Sequence, residues 1–165
     1  MGLTFFIGKK GEYMAKLIRF TISGEPVGKG RPRFSTRNGY VRTHTDKKTE
    51  SYEAKTIYSY NLQHEGMTFE PNEMIHAEIH AYFLIPKGHY HYHKKTNTTD
   101  LDKQGLEMLN GELEPTKKPD CDNIAKVILD ALNGVAYHDD SQVVELVVHK
   151  HYAETTRVNV TLWSE

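Results

Sequence analysis

The segment 118–140, KPDCDNIAKVILDALNGVAYHDD, constrains the fold more than any other part of the chain. Its centre is apolar around most of a helical circumference, and a helix of this kind is stable only when it is buried. A narrow polar line interrupts the apolar surface, and it consists of Asp122, Lys126, Asp130 and Asn133. Because these residues are spaced by three or four positions, they lie on one face. That face must meet a cleft, a partner or water.

The pattern predicts a helix over residues 123–133. Asp122 or Asn123 is expected to cap its N-terminus, and Gly134 suits the position just past its end. Ion pairs at i,i+4 spacing would account for the polar line at roughly 0.2 to 0.5 kcal/mol each. They would not account for Asp120 before the helix, or for the acidic pair 139–140 after it.

Clustered carboxylates repel one another unless a cation lies among them, and hard oxygen ligands favour Mg²⁺ or Mn²⁺. The predicted helix is about 16 Å long, so the returning segment VAYHDD can bring its acids back beside the first ones. The sequence therefore predicts a divalent-metal site beside a lysine, which is the equipment for phosphoryl transfer to water.

The formal net charge of −1 conceals an asymmetry. Residues 26–48 hold seven cations and one acid, whereas residues 120–145 hold six acids and one lysine. This distribution indicates either a polyanion partner beside a cation site or two solvated faces of opposite sign. The candidate DNA contacts are Lys29, Arg31, Arg33, Arg37, Arg42 and Lys118.

The whole pattern predicts a single α+β domain, in which two principal helices pack on a mixed sheet. Strands are predicted at 16–24, 73–86, 141–152 and 157–163, and a first helix at 46–64 with Ala54, Ile57, Tyr58 and Leu62 on one apolar stripe. The basic segment 24–45 is predicted to be a loop or an irregular hairpin. A polar insert over about 87–117 is expected to be irregular, with a short helix near 102–109.

Residues 1–15 are expected to be a disordered extension of a domain spanning 16–165, with Met14 as the natural start. The single cysteine, Cys121, excludes an intrachain disulfide and suits a reducing compartment. No apolar run reaches the roughly 18 to 20 residues of a membrane span. We therefore expect a cytoplasmic protein without a membrane partner.

The segments KPDCDNIAKVILDALNG and DDSQVV resemble the RusA family of Holliday junction resolvases, which are crossover junction endodeoxyribonucleases. GEPVGKGRPRF resembles the basic segment of phage and Gram-positive members, so a phage or prophage type is expected. The resemblance implies a homodimer that resolves four-way junction DNA by paired symmetric nicks, in DNA recombination and repair. It also implies dependence on Mg²⁺, for which Mn²⁺ substitutes, and products with a 5′-phosphate and a 3′-hydroxyl.

The resemblance implies that Asp120, Asp122 and Asp140 bind the metal. Lys126 completes the catalytic set by contacting the scissile phosphate. The positions expected to support these four are Asp139, Asn123, Asp130 and His138. His138 is interpreted as a neighbour of the site, with a general base as the alternative.

Other interpretations remain open. The protein could be a branched-DNA-binding protein that does not cut, or a nuclease of other DNA or RNA structures. The run HYHYH at 89–93 is interpreted as an exposed loop, since no cysteine or acid nearby in sequence completes a zinc site. His149 and His151 share a strand face that is solvated or turned to DNA.

Overall fold

The computed structural model describes residues 15–30, 33–37, 40–44, 46–64 and 66–164, with 33–37 and 40–44 described as backbone only. The predicted extension over residues 1–15, with its alternative start at Met14, lies outside the described residues except for Ala15. Arg31, a predicted DNA contact, lies outside them too.

The structure is an α+β domain built on one mixed four-stranded sheet, as predicted. In chain order its elements are β1 (Leu17–Ser23), β2 (Arg33–Arg37), β3 (Tyr40–His44), α1 (Lys47–His64), β4 (Ile75–Leu84), β5 (Tyr90–His93), β6 (Thr98–Leu101), α2 (Lys103–Leu109), α3 (Cys121–Leu132), β7 (Val143–Ala153) and β8 (Arg157–Ser164). The sheet order is β1-β8-β4-β7, with β4 and β7 parallel and the other pairs antiparallel. The long connection that carries α3 makes the parallel pairing possible.

One face of the sheet is buried, and the other is not. On β4 the buried residues alternate with partly exposed ones, so Ile75, Ala77 and Ile79 belong to the core. Their neighbours His76, Glu78 and His80 point to the opposite face because successive strand residues alternate. Helices α1 and α3 share the core with the buried face. No helix within the described part of the chain is both long enough and apolar enough to cross a bilayer.

Helix α3 is buried on most of its surface, as its sequence predicts. The buried residues are Ile124, Ala125, Val127, Ile128, Leu129, Ala131 and Leu132. Each of its large aliphatic side chains contributes about 1.5 to 3 kcal/mol by leaving water. The prediction that Asp122 or Asn123 caps this helix was wrong, since Asp120 occupies the N-cap and the helix begins at Cys121. Gly134 follows the end with a φ of 70°, as expected of a residue past a helix terminus.

Helix α1 was predicted correctly, but its buried face was not. Tyr58 and Leu62 are 66% and 71% exposed, and the buried residues are Thr49, Tyr52, Thr56, Ser59 and Tyr60. Small hydroxyl side chains fit this face because backbone groups satisfy them. The Thr49 hydroxyl accepts a hydrogen bond from the Gly30 N–H at 3.1 Å, and the Thr56 hydroxyl donates to the Tyr52 carbonyl at 2.9 Å.

The segment 87–117 contains more regular structure than its composition indicates. The short helix is confirmed as α2, and the carboxylate of its N-cap Asp102 accepts a hydrogen bond from the Gly105 N–H at 2.7 Å. The hairpin of β5 and β6 was not predicted. It brings Asp102 within 3.1 Å of His89 and Asp100 within 3.2 Å of His93, so acids do lie beside the HYHYH run.

Candidate functional site

The start of α3 presents a carboxylate that does not cap its own helix. Asp120 has the extended backbone of an N-cap, with φ −77° and ψ 154°, and its carbonyl accepts a hydrogen bond from the Ile124 N–H at 3.0 Å. An aspartate at this position usually accepts a hydrogen bond from an N–H group of the first helical turn. The Asp120 side chain makes no such bond. Asp120 and Asp122 are both exposed, so two carboxylates face solvent at this helix end.

The glycine-rich segment 24–30 is held against the same helix end. The Lys29 N–H donates a hydrogen bond to the Asn123 carbonyl at 2.8 Å. Gly28 lies so close that an added Cβ would be 2.8 Å from the Pro119 Cβ and 3.0 Å from the Asn123 Cβ. Only glycine allows this approach. The motif GEPVGKG therefore positions a lysine beside the first turn of α3.

A cleft of about 700 Å³ lies where this segment meets α3. Lys29, Lys48 and Lys118 line it together with Asp120. Cations beside a free carboxylate suit a phosphodiester backbone next to a metal-binding group. Lys48 was not among the predicted DNA contacts, although it belongs to the basic stretch that the sequence shows.

The Lys29 ammonium joins the two principal helices. It lies 2.9 Å from the Asp130 carboxylate on α3, and it also donates to Glu53 on α1. Burial is the largest influence on the pKa of Lys29 and lowers it, but hydrogen bonds and charge from Asp130 and Glu53 outweigh burial and raise that pKa above 10.5. Asp130 therefore supports the site through Lys29, and the DNA contact predicted for Lys29 stays a prediction.

The i,i+4 pairs that could have explained the polar line do not form. Asp130 is paired with Lys29 instead, and among the described side chains no carboxylate lies within 4.0 Å of the Lys126 ammonium. Lys126 is exposed, one helical turn past Asp122. The Asn123 amide is the hydrogen-bond partner found for Asp122, at 3.4 Å. The polar line thus ends in groups that are open to solvent.

The acids after α3 are held by a 3-10 turn, Asp140–Gln142, that begins with a capping box. The Asp139 carboxylate accepts a hydrogen bond from the Ser141 N–H at 2.9 Å, and hydrogen bonds from Ser141 lower the pKa of Asp139. The Gln142 side-chain carbonyl accepts hydrogen bonds from the N–H groups of His138 and Asp139. Asp139 therefore fixes the turn, which leaves the Asp140 carboxylate without an ion pair among the described residues.

Tyr137 links this turn to the second half of α3. Its hydroxyl donates a hydrogen bond to the Leu129 carbonyl at 2.9 Å. Burial raises the pKa of Tyr137, and the negative charges of Asp140, Asp130 and Asp139 raise it further. The hydrogen bond to Leu129 places this turn beside the Asp130 end of α3. Asp122 is eight residues before Asp130, which is about 12 Å along the helix axis.

The three predicted metal ligands, Asp120, Asp122 and Asp140, do not form a closed cage, because their ligand atoms do not all lie within 4.8 Å of one another. In the described part of the chain, the group of three possible ligands whose atoms lie within 4.8 Å of one another is Glu78, His80 and His149. The predicted carboxylates still have the hard oxygen chemistry that Mg²⁺ requires. Mg²⁺ keeps several waters and commonly takes one or two carboxylates directly, so a closed cage is not needed for a fit.

The predicted arginine contacts lie on a regular hairpin. In the register of β2 and β3, Arg42 is opposite Ser35, and Arg33 and Arg37 are two residues to either side of Ser35. The period of two assigns these three arginine positions to one face of the hairpin. Within the segment predicted to be a loop or an irregular hairpin, residues 33–37 and 40–44 therefore pair in a regular register, whereas residues 25–30 have no regular secondary structure.

The α+β domain has exposed carboxylates at a helix end and a lysine-lined cleft beside them. This combination is typical of a nuclease. The family described as endodeoxyribonuclease RusA matches residues 23–163, and the chain belongs to this family. The uncharacterized protein YqaN of Bacillus subtilis (strain 168) is 38% identical over 145 residues, which cover 88% of this chain and 94% of that protein. Every candidate site residue lies within the matched range. The resemblance to RusA is thus confirmed at the level of the family.

Proposed function

We propose that this protein is a Mg²⁺-dependent, structure-selective endodeoxyribonuclease that resolves Holliday junctions by paired symmetric nicks. Membership of the RusA endodeoxyribonuclease family supports the proposal. The observation that carries it is the Asp120 carboxylate, which occupies an N-cap and makes no capping bond. Since a capping bond typically contributes about 1 kcal/mol, a carboxylate that forgoes it points to another ligand.

In this proposal Asp120, Asp122 and Asp140 would hold the metal, directly or through its coordinated waters. Bound there, Mg²⁺ would lower the pKa of a coordinated water and offset charge on the phosphate. Lys126 contacts the scissile phosphate and stabilises the charge that develops in the transition state. Asp139 keeps Asp140 in place through the 3-10 turn, and Asp130 and Asn123 hold Lys29. The products carry a 5′-phosphate and a 3′-hydroxyl.

In this proposal the basic groups bind the phosphates of the DNA. Lys48 and Lys118 line the cleft beside Asp120. The arginine positions of the β2–β3 hairpin and Arg31 extend the contact to further phosphates. Paired nicks require two active sites, so the working form is a homodimer. We place it in the cytoplasm and assign it to the phage or prophage type.

The proposal is tested with a labelled four-way junction, incubated with Mg²⁺, with Mn²⁺ or with EDTA. We expect symmetric nicks with either metal and none with EDTA. Asp122→Asn should abolish cleavage while junction binding, followed by gel shift, stays largely intact. Asp100→Asn, an exposed acid on the β5–β6 hairpin, is the matched control and should cleave normally. Full activity of Asp122→Asn would remove that residue from the mechanism.

The same experiment separates the two alternatives. Tight binding of the junction without nicks in any metal would identify a branched-DNA-binding protein that does not cut. Equal cleavage of linear duplex, flap or RNA substrates would identify a nuclease of other structures. The exposed Asp120, Asp122 and Lys126 groups favour the cutting enzyme over the binder.

A further inference from the structure

A second group of possible metal ligands lies on the sheet face that faces away from α3. Glu78 and His80 belong to β4, and His149 is the direct neighbour of His80 on the parallel strand β7. The ligand atoms of these three residues lie within 4.8 Å of one another. The rings of His80 and His149 stack with centroids 4.8 Å apart and planes at 20°. Two adjacent strands therefore contribute two imidazoles and one carboxylate to one place.

A chain of hydrogen bonds fixes the proton positions behind this group. His151 Nδ1 lies 3.1 Å from a Glu114 carboxylate oxygen, and His151 Nε2 lies 3.0 Å from His80 Nδ1. A carboxylate only accepts, so His151 donates from Nδ1 and accepts at Nε2 when it is neutral. His80 must then donate from Nδ1. This order leaves the lone pair of His80 Nε2 facing the cluster.

The lone pair of His80 Nε2 meets another acceptor. Glu78 Oε1 lies 3.0 Å from this nitrogen. Two acceptors at that distance need either an extra proton on the imidazole or a cation between them. Metal-ligating histidines commonly donate their other ring N–H to a further partner, which fixes the tautomer and raises ligand basicity. The chain from Glu114 through His151 to His80 has this arrangement.

The cluster is separate from the proposed nuclease site. Ala77 and Ile79, the alternate residues of β4, are buried in the core that α3 shares. Glu78 and His80 therefore lie on the opposite side of the sheet from Asp120 and Asp122. The side chains of Glu78 and His80 are 39% and 30% exposed, so an ion can reach them from solvent.

We propose that Glu78, His80 and His149 form a binding site for a borderline divalent transition ion of the Zn²⁺ class, with His151 as a positioning residue. Two imidazole nitrogens and one carboxylate oxygen suit Zn²⁺ and not Mg²⁺, which prefers oxygen alone. Three protein ligands leave a fourth position for water. The ion ties β4 to β7, which is the parallel pair of the sheet.

The test uses the full chain, freed of metal with EDTA and kept in excess Mg²⁺ so that oxygen-only sites are occupied. Zn²⁺ binding is measured by calorimetry, and Co²⁺ is used as a spectroscopic probe of tetrahedral nitrogen and oxygen ligation. We expect one Zn²⁺ per chain and a higher melting temperature with Zn²⁺. His149→Ala and Glu78→Gln should each weaken binding more than about tenfold, and His151→Ala about tenfold through lost orientation.

Two controls keep the outcome decisive. The double variant His91→Ala/His93→Ala removes two hairpin histidines and should bind Zn²⁺ like the wild type, and so should Asp122→Asn. Melting without metal shows that each variant is folded. The proposal is overturned if about 100 µM Zn²⁺ gives no stoichiometric binding, or if His149→Ala binds normally. It is equally overturned if either control variant loses the ion.

Discussion

Replacing Lys29 with methionine tests whether the basic motif supports the fold as well as the DNA contact. The Lys29 ammonium lies 2.9 Å from Asp130 and also contacts Glu53, with each side chain about one quarter exposed. At an effective dielectric constant near 20, two unit charges 4 Å apart attract by about 4 kcal/mol. Solvent screening and desolvation offset most of this attraction. We therefore expect Lys29→Met to lower the free energy of unfolding by about 1 to 2 kcal/mol.

The assay is urea unfolding at pH 7, followed by the fluorescence of Trp163, the single tryptophan. In thermal melts the same loss corresponds to a fall of about 2 to 8 °C for a chain of this size. Lys126→Met is the matched control, because Lys126 has no ion pair among the described residues. Its unfolding free energy should stay within about 0.5 kcal/mol of the wild type.

The stability that Lys29 contributes should fall at high pH. The folded state raises the pKa of Lys29 above 10.5, so the stabilisation is complete below pH 10.5 and is lost as the pH rises through the folded pKa. The difference between Lys29→Met and the wild type should therefore be constant from about pH 7 to 9. Adding Glu53→Gln and Asp130→Asn to Lys29→Met should restore much of the loss, since the two carboxylates no longer repel. Wild-type stability of Lys29→Met, combined with weaker junction binding, would refute the structural role.

Three further predictions concern single residues. Lys126→Ala should lower the single-turnover cleavage rate on the order of 10²-fold, with melting unchanged. Gly28→Ala should cost about 1 to 3 kcal/mol of stability in urea unfolding, because its Cβ would lie 2.8 Å from the Pro119 Cβ. The Asp139 pKa lies below 3.8, so its stabilisation of the 3-10 turn should be lost as the pH falls through the folded pKa. Acid-unfolding curves of Asp139→Ala should lack this loss of stability.

The sequence predicted α3 well because its signal is local. Apolar residues recur at helical spacing within one segment, and burial follows from that pattern alone. The partner of Asp130 could not be predicted in the same way. Lys126 is the nearest lysine in sequence, but Lys29 on a distant segment takes that position, since the fold brings it there. The buried face of α1 was missed because backbone groups satisfy its hydroxyls, Gly30 of a distant segment for Thr49 and the preceding turn for Thr56.

The histidine cluster shows the same limit. Alternation along β4 already places Glu78 and His80 on one face, and alternation along β7 places His149 and His151 on one face. Whether these two faces meet depends on the pairing of residues that are nearly seventy positions apart in the chain, such as His80 and His149. The parallel register, which the sequence does not reveal, sets His80 beside His149.

Helix α3 contributes to the core and to the proposed site. Its burial explains how the helix tolerates an N-cap, Asp120, whose side chain makes no capping bond. Forgoing the capping bond costs about 1 kcal/mol, and Asp120 and Asp122, two residues apart at one helix end, add repulsion. The seven buried residues of the helix stabilise it far more than this. Tertiary packing, and not the local sequence at its start, therefore holds α3 in place. The first turn can therefore keep two exposed carboxylates, which the proposed function assigns to a metal ion.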